Sequence, residues 1–229
     1  MRCPCGVSTV LYNKTMNIYI VFHSQQGTTY ALAKAIAKGA KERAGAHVFL
    51  RKIPDYPLEK NITAERLADY KKGTPEEAQR IDEYNNLQPY SLDELRNADA
   101  LIIGSPVYYG NMSSATKIFI ESLTPLWEEG ILENKPAGVF VASETQHGGK
   151  EQTMISVLSS LMTFSMVIVG LPFRAIYMQK HGSIFGPTVT GSFVTPESES
   201  LASLFGKRIA DVAFSLEFGK DTLKPTYPL

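Results

Sequence analysis

Three short segments carry residue types that could hold a phosphorylated, flat-ringed molecule. The first is Ser24-Gln25-Gln26-Gly27-Thr28-Thr29, which follows the apolar run Asn17-Ile18-Tyr19-Ile20-Val21-Phe22 and precedes a helix-patterned stretch. It offers hydroxyls, one glycine and a helix N-terminus. Orphan N–H groups and the helix dipole there favour a phosphate. The loop has no Lys or Arg, so it would hold a dianion with neutral donors alone. It lacks the Gly-Lys-Ser/Thr of a nucleoside-triphosphate loop and the G-x-G-x-x-G spacing of a dinucleotide site. The alternative is an ordinary Ser/Thr-capped helix start.

The second segment is Ser105-Pro106-Val107-Tyr108-Tyr109-Gly110-Asn111-Met112, and the third is Ser143-Glu144-Thr145-Gln146-His147-Gly148-Gly149. Aromatic rings in the second could stack on a flat heterocycle, and its amides could bond the ring edge. Two tyrosines lidding the core would be the plainer role. The third is polar and glycine-rich, and could complete a ring pocket. Together the three match a phosphate–ribityl–isoalloxazine ligand, phosphate at one end and stacked ring at the other. No nucleophile or metal is required. His23, His47 and His181 show no metal-ligand spacing and read as structural or surface residues. Cys3 and Cys5 are the only cysteines; they cannot complete a tetrahedral zinc site or a four-cysteine cluster.

The elements that must position these loops are legible from periodicity. Met16 opens a strand through Phe22, and a helix over Tyr30 to Arg43 follows, with Gly45 as its stop. A second strand spans Ala46 to Ile53. Residues Pro54 to Pro89 form a polar, proline-punctuated excursion with helices expected over Ala64–Lys71 and Pro75–Tyr84. Ser91 to Asn97 reads as a short helix capped by Ser91. A buried strand spans Ala98 to Gly104, then come a helix Ser113–Leu123, a strand Ala137–Ser143, a helix Glu151–Phe164 and a strand Met166–Val169. A loop from Gly170 to Val194 leads to a last helix, begun at Thr195-Pro196 and ending near Glu217. This alternation predicts a doubly wound parallel α/β sheet. Ligands of such sheets bind at the carboxyl ends of the strands, where all three loops fall.

The chain has 229 residues and 25.3 kDa, enough for one large domain. With 44% hydrophobic and 20% charged residues it is ordinary for a core-forming protein. The formal net charge of +0 argues against nucleic acid as a partner and against a small, strongly charged electron shuttle. No apolar run approaches the ~20 residues of a membrane helix, and the N-terminal residues lack a signal-peptide core. The expectation is a soluble, cytoplasmic protein without membrane insertion. Residues 1–15 are expected to be a disordered tail or an upstream start, 16–218 the domain, and 219–229 a C-terminal tail.

From Met16 to Phe218 the sequence resembles the WrbA family of flavoproteins, FMN-dependent NAD(P)H:quinone oxidoreductases of flavodoxin-like fold. The most specific likeness is Gly104-Ser-Pro-Val-Tyr-Tyr-Gly-Asn-Met112, similar to the family's G-T/S-P-T-R-F-G-N-M. Leu126-Trp127 with Gly130, the Gly148-to-Thr153 run, Met166–Val169 and Gly182-Ser-Ile-Phe-Gly186-Pro add to it. The resemblance implies a five-stranded parallel sheet of order 2-1-3-4-5 with helices on both faces. It implies that Ser24 to Thr29 bind the FMN phosphate, and that Pro106, Val107, Tyr108, Tyr109, Gly110 and Asn111 border the ring. Ser143, Glu144, Thr145, Gln146, His147 and Gly148 would complete its edge. Trp127 would lie on the substrate side and Gln26 near the nicotinamide nucleotide. NADH or NADPH would reduce the flavin, and a quinone would then take two electrons in a ping-pong relay. A homo-tetramer, or a dimer, is implied. The alternatives are a flavodoxin-type electron carrier and a flavin or azo reductase of the same fold. Tyr108 replaces the family's arginine, Glu144 and His147 alter its third loop, Thr163 stands where it has a histidine, and the excursion is longer. His147 could polarise a quinone oxygen.

Overall fold

The computed structural model describes residues 15–55, 74–175 and 182–219. The expectations for Cys3, Cys5, His181, the helix over Ala64–Lys71 and the terminal tails lie outside those residues, apart from their innermost positions. The elements in chain order are β1 (Met16–Phe22), α1 (Thr28–Ala40), β2 (Ala46–Lys52), α2 (Pro75–Asn85), α3 (Leu92–Leu95), β3 (Ala100–Tyr108) and β4 (Asn111–Met112). They continue with α4 (Ser114–Ser122), α5 (Thr124–Glu128), β5 (Pro136–Ser143), α6 (Lys150–Thr163), β6 (Val167–Ile168), β7 (Thr188–Thr190) and α7 (Pro196–Gly219).

The main path of the sheet is β2-β1-β3-β5-β6, all parallel. This is the order expected for a flavodoxin-like fold, since β4 lies off the path as a short partner of β3. Side chains alternate across the pleat, so the apolar strands feed two cores. Ile18, Ile20, Phe22, Ile102 and Phe140 pack with Leu32 and Ile36 of α1 and Phe205 and Ile209 of α7. Tyr19, Val21, Leu101, Ile103, Val139 and Val141 pack with Phe119 of α4 and Met154, Val157 and Leu161 of α6.

Two expectations need correction. β3 does not stop at Gly104 but runs to Tyr108 and folds back into β4. The second loop is therefore a hairpin, closed by Tyr109 and Gly110 at φ 52 and 75; two positive φ values suit the right-handed strand twist. The fifth strand is also split. β6 pairs with Pro136 and Ala137 at the start of β5, while β7, inside the expected loop, pairs with Val141 to Ser143 at its end. Gly170 and Pro172 interrupt the apolar run, and the β-branched Thr188-Val189-Thr190 resumes it.

Part of the excursion is placed firmly. Thr74 caps α2 by accepting from the Glu77 amide, while the Glu77 side chain accepts from the Thr74 N–H, a reciprocal capping box. Ile81 and Tyr84 of α2 are buried, and the Tyr84 hydroxyl donates to the Ile53 carbonyl at 2.8 Å.

Candidate functional site

At the carboxyl edge of the sheet the ends of β1, β3 and β5 open into one cleft. Gln25, Gln26, Thr28 and Thr29 line it from the first loop, Pro106, Val107 and Tyr108 from the second, and Ala142, Ser143 and Glu144 from the third. Its volume is about 220 Å³. A larger groove of about 350 Å³ runs along α7 between Leu204 and Leu216; no strand end opens into it, so the smaller cleft is the one with site chemistry.

The first loop turns into α1 through Gly27, which is left-handed at φ 79. Ser24 is 2% exposed, and its Oγ accepts from the Tyr30 amide at 3.3 Å. Ser24 thus shapes the turn rather than facing the cleft with a free hydroxyl. The Ala31 amide bonds the Gly27 carbonyl, which leaves the amides of Thr28 and Thr29 as first-turn donors. Thr28 is 5% exposed, and its Oγ1 is buried without any hydrogen-bond partner among the described residues. A buried hydroxyl is normally satisfied. An unmatched one at a helix N-terminus, on the wall of a cleft, fits a phosphate oxygen.

The second loop is anchored from below. His23, at the end of β1, is 3% exposed. Its Nε2 lies 2.7 Å from the Asp55 carboxylate and its Nδ1 2.9 Å from Ser113 Oγ. Ser113 is the N-cap of α4, lies 2.9 Å from Thr116 Oγ1 and accepts from the Thr116 amide. The Thr116 hydroxyl donates to Ser105 Oγ at 3.1 Å, and the Ser105 hydroxyl donates to the Pro106 carbonyl at 2.8 Å. This chain, buried except at Asp55, ties β1, β3 and α4 together beneath Pro106 and Val107. Above it, the Tyr108 hydroxyl donates to Gln25 Oε1 at 2.6 Å and bridges the phosphate-type loop to the ring-type loop.

The third loop is held by β7. The Gly191 amide donates to the Ser143 carbonyl at 2.8 Å, and Gly191 joins the lining of the cleft. Beneath it Lys150 is buried, and its Nζ donates to Thr190 Oγ1 at 2.6 Å. The Thr190 hydroxyl in turn donates to Gln146 at 3.2 Å. Burial pulls the Lys150 ammonium below the usual lysine range, opposed only by the nearby Glu151.

Several expected residues do not reach this cleft. Tyr109 is 101% exposed at the hairpin tip, with Gly110 beside it. Asn111 spends its Oδ1 on the Met112 amide. Thr145, Gln146, His147 and Gly148 follow the lining residues but are not among them. Trp127 is 49% exposed on α5, and Thr163 ends α6, at the opposite edge of the sheet. Sequence reasoning missed Ala142 and Gly191 on the wall, and Lys150 below it. The Thr-Val-Thr alternation before Gly191 was the available signal.

Residues 16–179 match the family model described as NADPH-dependent FMN reductase. The chain is 39% identical over 201 residues to an NAD(P)H dehydrogenase (quinone) of Archaeoglobus fulgidus, covering 87% of this chain and 98% of the relative. It is 34% identical over 211 residues to a protein of the same name from Geotalea daltonii, covering 88% and 98%. Among solved structures it is similar to a WrbA-like flavodoxin from Agrobacterium tumefaciens, with a TM-score of 0.59, 21% identity and coverage of 88% and 99%.

Proposed function

Since this chain belongs to the NADPH-dependent FMN reductase family, we propose that it is an FMN-dependent NAD(P)H:quinone oxidoreductase. The observation that carries the reading is the cleft at the carboxyl edge that all three loops line, where the unmatched Thr28 hydroxyl and the start of α1 stand opposite Val107 and Tyr108. The names of the long-range relatives supply the donor and acceptor classes. FMN, when bound, supplies the two-electron chemistry between a nicotinamide and a quinone.

The protein's own residues bind, orient and shield. Thr28, Thr29 and the turn shaped by Ser24 and Gly27 take the phosphate. Pro106, Val107 and Tyr108 offer one wall to the ring, and Ser143 and Glu144 its edge. Gln25 and Gln26 occupy the boundary between phosphate and ring, where a nicotinamide nucleotide would approach. No side chain is assigned a proton transfer.

A homo-tetramer is part of the same proposal. Ile155 and Met162, seven residues apart on α6, are both exposed, as is Trp127. Such spacing makes an apolar stripe on one helix face, which supports a subunit contact. A partner would also account for Tyr109, Trp127 and Thr145 to Gly148 lying off the cleft of a single chain. The cytoplasm, where nicotinamide nucleotides circulate, is the proposed location.

The test is one purified sample. Flavin absorbance, and oxidation of NADH or NADPH with benzoquinone well above the rate with free FMN, are the expected results. Protein that stays colourless after FMN is added would overturn the cofactor. A yellow protein with no turnover beyond free FMN would make it a carrier.

A further inference from the structure

The loop Ser24 to Thr29 contains no cation, yet a phosphate dianion sits most firmly opposite one. A candidate is on the excursion. A Cβ built on Gly27 would stand 2.7 Å from the Cβ of Arg80 and 3.3 Å from its carbonyl carbon, so α2 is packed directly on the phosphate-type turn. From there the Arg80 side chain reaches the segment after β7, where Nη2 donates to the Ser192 carbonyl at 3.0 Å. Ser192 follows Gly191, which lines the cleft. Arg80 thus runs behind the cleft lining, from the turn at Gly27 to the residue after Gly191.

Its Nε is buried with no hydrogen-bond partner among the described residues, as is Thr28 Oγ1 one residue from the same turn. Arg80 packs by its Cβ on Gly27, beside the turn that carries Thr28, so one acceptor held at that turn would answer both unmatched groups. No carboxylate among the described residues pairs with Arg80 at ion-pair distance. Glu77 is near enough to feel its charge, but the Glu77 carboxylate is engaged by the Thr74 amide at 2.9 Å.

We infer that Arg80 supplies the positive charge for the FMN phosphate, so that the excursion between β2 and β3 is part of the cofactor site. The inference rests on the flavoprotein reading above. It explains why Gly27 carries no side chain and why α2 is held by both a capping box and buried Ile81 and Tyr84. A strap that only joins α2 to Ser192 would fit the one made bond, but leaves Nε and Thr28 Oγ1 unexplained.

Riboflavin, which has the ring but no phosphate, separates the two. Flavin-free full-length protein is titrated with FMN and with riboflavin, following the quenching of flavin fluorescence. Arg80→Gln should weaken FMN about 10- to 100-fold, the range of a charge-assisted bond, and leave riboflavin within about twofold. Arg80→Lys, which keeps the charge without the planar fork, should fall between. Equal loss for both flavins, or an FMN constant unchanged within about twofold, overturns the inference. The atoms of residue 80 packed closest on the Gly27 turn are its Cβ and carbonyl carbon, and Gln keeps both. If it nonetheless melts early without flavin, the FMN-to-riboflavin ratio of Arg80→Lys decides instead, an unchanged ratio counting against Arg80. Wild-type protein that binds neither flavin removes the flavoprotein reading and this inference together. Wild type that prefers FMN, with a variant that does so equally, removes Arg80 alone.

Discussion

Gly27 is the residue on which the phosphate end turns. A side chain there would face a positive φ of 79 and a contact of 2.7 Å with Arg80. Left-handed backbone costs an L-residue about 1 kcal/mol and overpacking about 1–3 kcal/mol. Gly27→Ala should therefore lose about 2–4 kcal/mol in denaturant unfolding of the flavin-free protein, together with FMN affinity. Full stability with full affinity would show that α2 moves aside freely. Lys150 poses a different problem. It buries an ammonium at the start of α6, where the helix dipole is also positive, and its titration is pulled down by that burial. The sign follows from proton counts. Between the depressed folded value and the ordinary unfolded value near ~10.4, the unfolded chain holds more protons, so stability rises with pH there. Below the folded value the penalty is present in full. In Lys150→Met that rise disappears. The unfolding free energy of the variant relative to wild type should fall as pH is raised from about 7 towards about 10. A difference that is flat with pH would mean Lys150 is not desolvated.

At the scale of elements, the site depends on which strand ends are tied together. The chain Asp55–His23–Ser113–Thr116–Ser105 crosses from β1 to β3 and α4 within hydrogen-bond distance at every step. Connected buried networks rigidify what they join, and a half-satisfied one is costly. Ser113→Ala removes the N-cap of α4 and the partner of His23 at once. It should cost about 2–3 kcal/mol by urea unfolding, and should loosen the wall at Pro106 and Val107, seen as weaker riboflavin binding. A stability change below about 0.5 kcal/mol would show water filling the gap. The hairpin β3–β4 and the split β6/β7 belong to this scale too. Neither was visible as such in the sequence, because a strand of two or three residues leaves almost no period to detect. Pairing with β3 and β5 makes them strands.

For the whole molecule, the decisive contact is between α1 and α7. A Cβ on Gly206 would come within 1.9 Å of the Ile36 carbonyl oxygen, and one on Gly39 within 1.7 Å of the Ser203 carbonyl oxygen. Two glycines let the backbones touch and seat α1, whose N-terminus forms the phosphate end, on the sheet. Gly206→Ala should lower stability by about 1–3 kcal/mol and weaken FMN, measured by thermal unfolding with and without the cofactor. Assembly can be tested separately. Met162→Glu with Ile155→Glu, placed on the exposed face of α6, should convert a tetramer to smaller species by light scattering while each subunit stays folded. An unchanged mass would move the contact to another face.

The sequence by itself determined the alternation of strands and helices, the buried character of β1, β3 and β5, and the three polar segments that follow them. Those are local properties: apolar runs such as Ala100 to Ile103, breakers such as Gly45 and Pro196, and hydroxyls at a helix start are read along the chain without knowing its neighbours. The tertiary structure alone decided which members of each segment face one cleft. It put Tyr108 over Gln25 but Tyr109 in solvent, because Tyr109 is itself in the two-residue turn that follows Tyr108. It brought β7 to the end of β5, and so added Gly191 to the wall. It also carried Arg80, more than fifty residues along the chain from the loop, onto Gly27. Periodicity reports which side of an element is apolar; only long-range packing states what lies against it.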